Sequence, residues 1–284
     1  MTQQGTRATL FNLAANLFLF VIKFLGAQIT GSLALMSDAI NSFSDSVYSI
    51  AIFFAVRVSH KEADEGHPFG HHRAEPVASL LIALLAGILG FEIVKTGVFG
   101  LMSPELRTFS MLAVYILLVT MGLKAFMAVY FRRVSKKIRS PALKVTSVDC
   151  RNDVLVSSIA MLGVISLSTG FSNLDYYAAI AIGLFIIRSG YMIGSENVDY
   201  LMGKTAPKEM IEEIEHKVKG VKGVLGVHDV LAHYVGNYLH VQAHIEVDGK
   251  MDTRQSHEVG NKVTELIEQM PAVDKAFIHV DPKK

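Results

Sequence analysis

Six apolar stretches, at 8–29, 33–58, 76–100, 108–131, 143–169 and 174–201, dominate the first two thirds of the chain. A helix of about 20 mostly apolar residues crosses a bilayer, so each stretch predicts a membrane span. The first two are parted only by Gln28-Ile29-Thr30-Gly31, a very short turn. Ala83, Ala86, Gly87 and Gly90 give the third stretch a face of small residues, where another helix can come close. After Gly203 the period changes. Residues 206–219 carry Met210, Ile211, Ile214 and Val218 at helical spacing, and 224–232 read as a strand. Between 238 and 247, Leu239, Val241, Ala243, Ile245 and Val247 alternate with His240, Gln242, His244 and Glu246, as in a strand with one covered face. An amphipathic helix at 253–270 and a strand at 276–280 complete the order αββαβ, which predicts a small open α+β sandwich with its helices on one face. The expected organisation is an all-α six-helix membrane bundle in residues 1–203 and an α+β domain in 204–284.

Polar residues interrupt two of the spans in the same way. Asn41 and Asp45 lie four apart in the second, and Asp149 and Asp153 repeat the spacing in the fifth. On a helix each pair projects from one face. An ionisable group at membrane depth is costly, and its default reading is functional. Such residues can also serve as packing glue, and Arg151 could pair with either neighbouring Asp. Two pairs at one spacing on separate spans favour a cation site instead. Asp38 lies near the same face as Asp45 and either guides ions at one mouth or ends a polar stripe. Glu92, Lys95, Lys124 and Arg188 are isolated charges, read as paired, snorkelling or at helix boundaries.

Charge and composition narrow the picture. A net charge of +1 gives no reason to expect a nucleic-acid partner, and the single Cys150 excludes a disulfide framework or a Cys-based zinc cluster. Met1 to Arg7 is polar and leads into an apolar run without a small-residue cleavage site, which reads as a first membrane helix rather than a cleaved signal. Arg132, Arg133, Lys136, Lys137, Arg139 and Lys144 gather between the fourth and fifth spans, and Arg57, Lys61 and Arg73 around the loop between the second and third. The opposite loops offer only Arg107. Basic loops stay inside, so both termini are expected in the cytoplasm of a multi-pass protein of the cell (inner) membrane. None of the eleven His falls within the six spans. On a helix Cys150 points about 100° from Asp149. The paired site is therefore oxygen-only, which suits a hard divalent ion such as Mg, Ca or Mn. Three carboxylates held close resist full ionisation, so an arriving cation would release protons, and alternate access would make the cycle a cation/proton antiport. The loop from His60 to Glu75 mixes four His with Asp and Glu, and reads equally as a metal site or a solvated loop.

These motifs together resemble the cation diffusion facilitator family: six spans with Asn41-x-x-x-Asp45 and Asp149-x-x-x-Asp153, the loop motif His67-Pro-Phe-Gly-His71 with Ala74-Glu75, and a His-bearing αββαβ tail. The resemblance implies a homodimeric divalent-metal/proton antiporter with a metallochaperone-like cytoplasmic domain. It places the transport site on Asn41, Asp45, Asp149 and Asp153, and a loop site on Asp64, His67 and His71. A cytoplasmic binuclear site falls on His228, His244, His257, His279 and Asp281, while His72, His216, His233 and His240 match no family ligand and read as surface residues. Zinc-carrying members usually have His among the four transport positions. The set here resembles the manganese-exporting bacterial branch and implies manganese, with zinc, iron or cobalt export and a metal-sensing membrane protein as alternatives. No cofactor is expected; the divalent metal is substrate and regulator. An inter-protomer salt bridge known in relatives would use Arg73, but Gly203 occupies the partner position, with Asp199 one turn earlier. Nothing supplies a nucleophile elbow, a phosphate loop or a closed catalytic zinc set, so an enzyme is not expected.

Overall fold

The computed structural model describes residues 3–59, 61–103, 109–138, 141–169, 173–236 and 238–283. His60, Arg107 and Arg139, and the side chains of Lys137 and Lys144, lie outside the described residues. Long helices stand at all six apolar stretches: α1 (Gln3–Thr30), α2 (Leu33–Ser59), α3 (Ala74–Met102), α4 (Met111–Ile138), α5 (Pro141–Ser166) and α6 (Asn173–Leu201). Counting described residues only, five of them, α1 and α3 to α6, are long and apolar enough to cross a membrane. The chain forms two compact units: Met1–Ala51 with Leu81–Gly194, and Ile52–Leu80 with Ser195–Lys284.

In the first unit, Leu35, Leu117, Val156, Ala160 and Ile182 meet in a buried core. Leu84, Ile88 and Phe91 of α3, Leu118 and Phe126 of α4, and Leu155 and Leu162 of α5 remain exposed, as befits helices whose outer surface faces lipid. The turn between α1 and α2 rests on Gly31, at φ 67°, a conformation that glycine adopts without strain. What fixes the start of α2 comes from far along the chain. Asp175, in the first turn of α6 and fully buried, accepts from the Leu33 and Ala34 backbone N–H groups at 2.9 and 3.3 Å and from Ser32 Oγ at 2.8 Å. A remote carboxylate thus satisfies donors that a helix start leaves open. The small-residue face of α3 finds its partner in α6. A Cβ on Gly90 would lie 2.8 Å from the Gly183 carbonyl oxygen, and one on Gly190 would lie 2.8 Å from that of Ala83.

The second unit contains α7 (Lys208–Lys219), β1 (Gly226–Val235), β2 (Tyr238–Asp248), α8 (Thr253–Glu268) and β3 (Val273–Lys283). The strands lie in the order β1-β2-β3, the first pair antiparallel and the second parallel. Ile214 and Val218 of α7, and Val259, Val263 and Ile267 of α8, pack on Leu239, Val241, Ile245 and Val247, so both helices cover one face of the sheet, as the alternation predicts. Asp252 caps α8 in a reciprocal box with Gln255. A bulge interrupts β1 between His228 and Leu231, with Asp229 at φ 49°. The extra residue shifts the alternation, so Ala232 enters the core while His228 stays on the open face beside His244.

Candidate functional site

The sequence-predicted residues fall into three groups. In the helical unit, Asn41, Asp45, Asp149 and Asp153 all line one cavity of about 390 Å³. Asn41 Nδ2 donates to Asp153 Oδ1 at 3.2 Å, joining α2 to α5. Cys150 also borders the cavity, although its thiol packs among Ala15, Met127, Phe131 and Leu143. An unforeseen residue stands in the middle. Lys124 of α4, nearly fully buried, donates to Asp153 Oδ2 and, at 2.6 Å, to Asn16 Oδ1 of α1, and its Nζ lies 3.9 Å from Asp45 Oδ2. The isolated charge is thus paired, and its partners are the candidate ligands themselves. Its sequence signal was present: α4 contains no acidic residue, so a buried lysine there must find a carboxylate on another helix. The same holds for Lys23 of α1, which pairs with fully buried Asp38 at 2.8 Å and donates to Ser42 Oγ at 3.0 Å. Ser157 Oγ donates to the same Asp38 carboxylate at 2.9 Å. Asp38 is therefore part of a buried ion pair one turn before Asn41.

In the second unit, the loop after α2 brings Asp64, His67 and His71 together, their ligand atoms within 4.8 Å of one another. His67 Nδ1 is 3.2 Å and His71 Nε2 3.5 Å from the Asp64 carboxylate. Lys61 hydrogen-bonds that carboxylate at 2.8 Å, and with His67 it holds the group well below the usual carboxylate range. The backbone N–H groups of Gly66 and His67 fix its orientation.

The third group lies on the open face of the sheet. His228 pairs across with His244, and His244 with His279, one His per strand in one row. Asp281 Oδ2 is 3.5 Å from His228 Nε2 and 3.3 Å from His244 Nδ1, while its Oδ1 is 3.2 Å from His279 Nε2. His257 does not join them. It is exposed on α8, which covers the opposite face of the sheet, and its Nε2 lies 3.2 Å from Asn261 Nδ2.

His216 and His233 are exposed, as the sequence suggests. His240 and His72 are corrected: the loop that carries Phe69 covers this end of the open face. His240 is buried with Nε2 at 3.2 Å from Asp274 Oδ2, and His72 Nε2 is 3.7 Å from the same oxygen. Burial pushes the His240 imidazole below its ordinary value, although Asp274 pulls the other way. Gly236 lets His72 approach, since a Cβ there would fall 2.0 Å from the His72 carbonyl oxygen. Asp199 pairs with Lys204 of its own chain at 3.1 Å.

Comparison with known proteins gives this geometry a context. The cation efflux transmembrane domain matches residues 9–202, and the cytoplasmic domain of cation efflux proteins matches residues 206–283. An uncharacterized transporter of Methanocaldococcus jannaschii is 32% identical over 96% of this chain and 96% of its own. The manganese efflux system protein MneS of Bacillus subtilis is 28% identical over 99% of this chain and 96% of its own. The cation-efflux pump FieF of Yersinia enterocolitica is 28% identical, covering 93% and 88% respectively. With both family models matched in sequence order across nearly the whole chain, the protein belongs to the cation efflux (cation diffusion facilitator) family of membrane transporters and is not an enzyme.

Proposed function

We propose that the protein exports a divalent metal, manganese in preference to zinc, iron or cobalt, from the cytoplasm in exchange for protons. The transport site is Asn41, Asp45, Asp149 and Asp153. One observation carries the reading: these four residues, from two helices, border a single cavity whose charged groups are carboxylates and one lysine, without any imidazole. Oxygen donors suit Mn²⁺, which binds most weakly in the first-row series, so selection must rest on ligand type and geometry rather than affinity. The relationship to a manganese efflux protein supports the same ion. Residues 1–203 form the membrane domain and 204–284 a cytoplasmic domain through which two protomers associate, with both termini in the cytoplasm. Asp64, His67 and His71, and separately His228, His244, His279 and Asp281, bind metal as regulators. His257 could join only by movement or through the second protomer.

The test is a metal-by-metal transport panel in proteoliposomes with an imposed pH gradient. Wild type should move Mn²⁺ fastest and faster with an opposing proton gradient, Asn41→His should shift transport toward Zn²⁺, and Asp45→Asn should abolish it. Equal rates with and without the gradient would sink the coupling. An Asn41→His variant with unchanged selectivity would sink the role given to Asn41. The two clusters of His and Asp in the second unit also fit a sensor that binds metal without moving ions. Intact metal binding with no ion movement in the same liposomes would decide for that reading.

A further inference from the structure

Lys124 stands among the carboxylates proposed to hold the transported metal. Its ammonium holds Asp153, lies 3.9 Å from Asp45 Oδ2, and also donates to Asn16 Oδ1 at 2.6 Å. On α1, one turn from Asn16, the Asn12 side chain borders the same cavity, and its Oδ1 is buried without a hydrogen-bond partner among the described residues. A buried acceptor left open is costly, so a movement that brings it a donor is favoured.

We propose that Lys124 is a tethered cation exchanged by the transported metal, with Asn16 and Asn12 as its alternative seat. This rests on the transport-site reading above. When the metal takes the Asp45 and Asp153 carboxylates, the ammonium keeps Asn16 Oδ1 and gains Asn12 Oδ1, both neutral acceptors within the same cavity. A lysine side chain, with its flexible four-carbon stem and compact charge, suits such a movement. The exchange also matches the site to the ion's charge. Three carboxylates and one ammonium sum to −2, which one divalent cation neutralises. A monovalent ion leaves −1, and a trivalent ion leaves +1. Without Lys124 the sum is −3, and the match passes to a trivalent ion.

The experiment measures Mn²⁺ transport kinetics and Gd³⁺ inhibition in proteoliposomes. Lys124→Gln should lower KM for Mn²⁺ about tenfold by removing a competing unit charge a few ångströms away. It should also lower kcat, since release slows, and make Gd³⁺ a stronger inhibitor. Lys124→Arg, which keeps the charge, should stay close to wild type in Gd³⁺ sensitivity. Asn12→Leu should raise KM in the wild-type background and change nothing when combined with Lys124→Gln. A purely structural asparagine would shift both backgrounds alike. Unchanged KM and Gd³⁺ inhibition in Lys124→Gln, or an Asn12→Leu effect of equal size in both backgrounds, overturns the exchange. Where Lys124→Gln does not fold, Asn12→Leu alone decides, and an unchanged KM overturns it. Asp45→Asn and Asp153→Asn separate the two levels. If both transport normally, the site assignment itself fails; if they lose transport while the Lys124 variants behave as wild type, only the exchange fails.

Discussion

The Lys23–Asp38 pair offers a sharp test of how the bundle is held together. Its charged atoms are 2.8 Å apart, with side chains 1% and 0% exposed, and α1 carries no acid of its own. Asp38→Asn removes the counter-charge and leaves the buried Lys23 ammonium facing neutral acceptors alone, the amide oxygen and the Ser42 hydroxyl at 3.0 Å. Removing one member of a buried ion pair costs about 3–5 kcal/mol, because the remaining charge is desolvated without compensation. Removing both charges, in Lys23→Met with Asp38→Asn, should recover most of that loss, since an amide can still accept from Ser157. The double-mutant cycle should then show coupling of about 2–3 kcal/mol. The single cysteine provides the assay: Cys150 is buried, so labelling by a fluorogenic maleimide should rise as the bundle unfolds. Equilibrium unfolding in mixed micelles, read by thiol labelling, gives the four stabilities. Additive effects, or an Asp38→Asn variant within about 1 kcal/mol of wild type, would refute the compensation argument.

Further predictions concern packing, pH and capping. Gly183→Ala should destabilise the bundle by roughly 1–3 kcal/mol, since its Cβ would fall 2.9 Å from the Gly90 carbonyl oxygen. Gly87→Ala, whose Cβ meets nothing within 4 Å, should be neutral or slightly stabilising in the same assay. His240 titrates below its unfolded value of 6.5, so its contribution to stability is present above pH 6.5 and lost as pH falls through the lowered value. Unfolding midpoints by circular dichroism should therefore drop on acidification, and less so in His240→Gln. Asp252→Ala should cost about 1 kcal/mol and speed hydrogen exchange in the first turn of α8, with transport unchanged.

Five of the spans, α1 and α3 to α6, were legible as apolar runs of bilayer length, a signal that tertiary contacts cannot reverse, whereas the polar residues of α2 dilute it. The sheet's covered face was legible because β2 alternates cleanly. Three features were not. The bulge at Asp229 leaves no mark in composition, yet it keeps His228 on the same face as His244 and so completes the row of histidines. The cap on α2 comes from Asp175, in the first turn of α6, and no local pattern reveals a partner that distant. His240 looked solvated because it sits on the polar phase of its strand, but the loop after α2 covers it. Of the candidate site, the carboxylate and amide positions were readable from their spacing. The lysine among them was readable only as a charge on a helix without acids. His257 shows the opposite limit: its residue type suits a metal, but α8 places it across the sheet.

The two buried ion pairs bear on how the chain enters the membrane. Lys23 and Asp38 belong to α1 and α2, and Lys124 and Asp153 to α4 and α5. In each case the charges sit on consecutive helices, so each pair lies within one hairpin. A lone α2 or α5 would bring uncompensated carboxylates into lipid, where a charge at the helix centre costs about 2.5–3.5 kcal/mol on insertion scales. A hairpin inserted as a unit carries its own counter-ion. Each lysine thus offsets one of the two carboxylates on its neighbouring helix, Asp38 beside Asp45 on α2 and Asp153 beside Asp149 on α5, and lowers the expected cost of placing that helix in lipid when the two enter together.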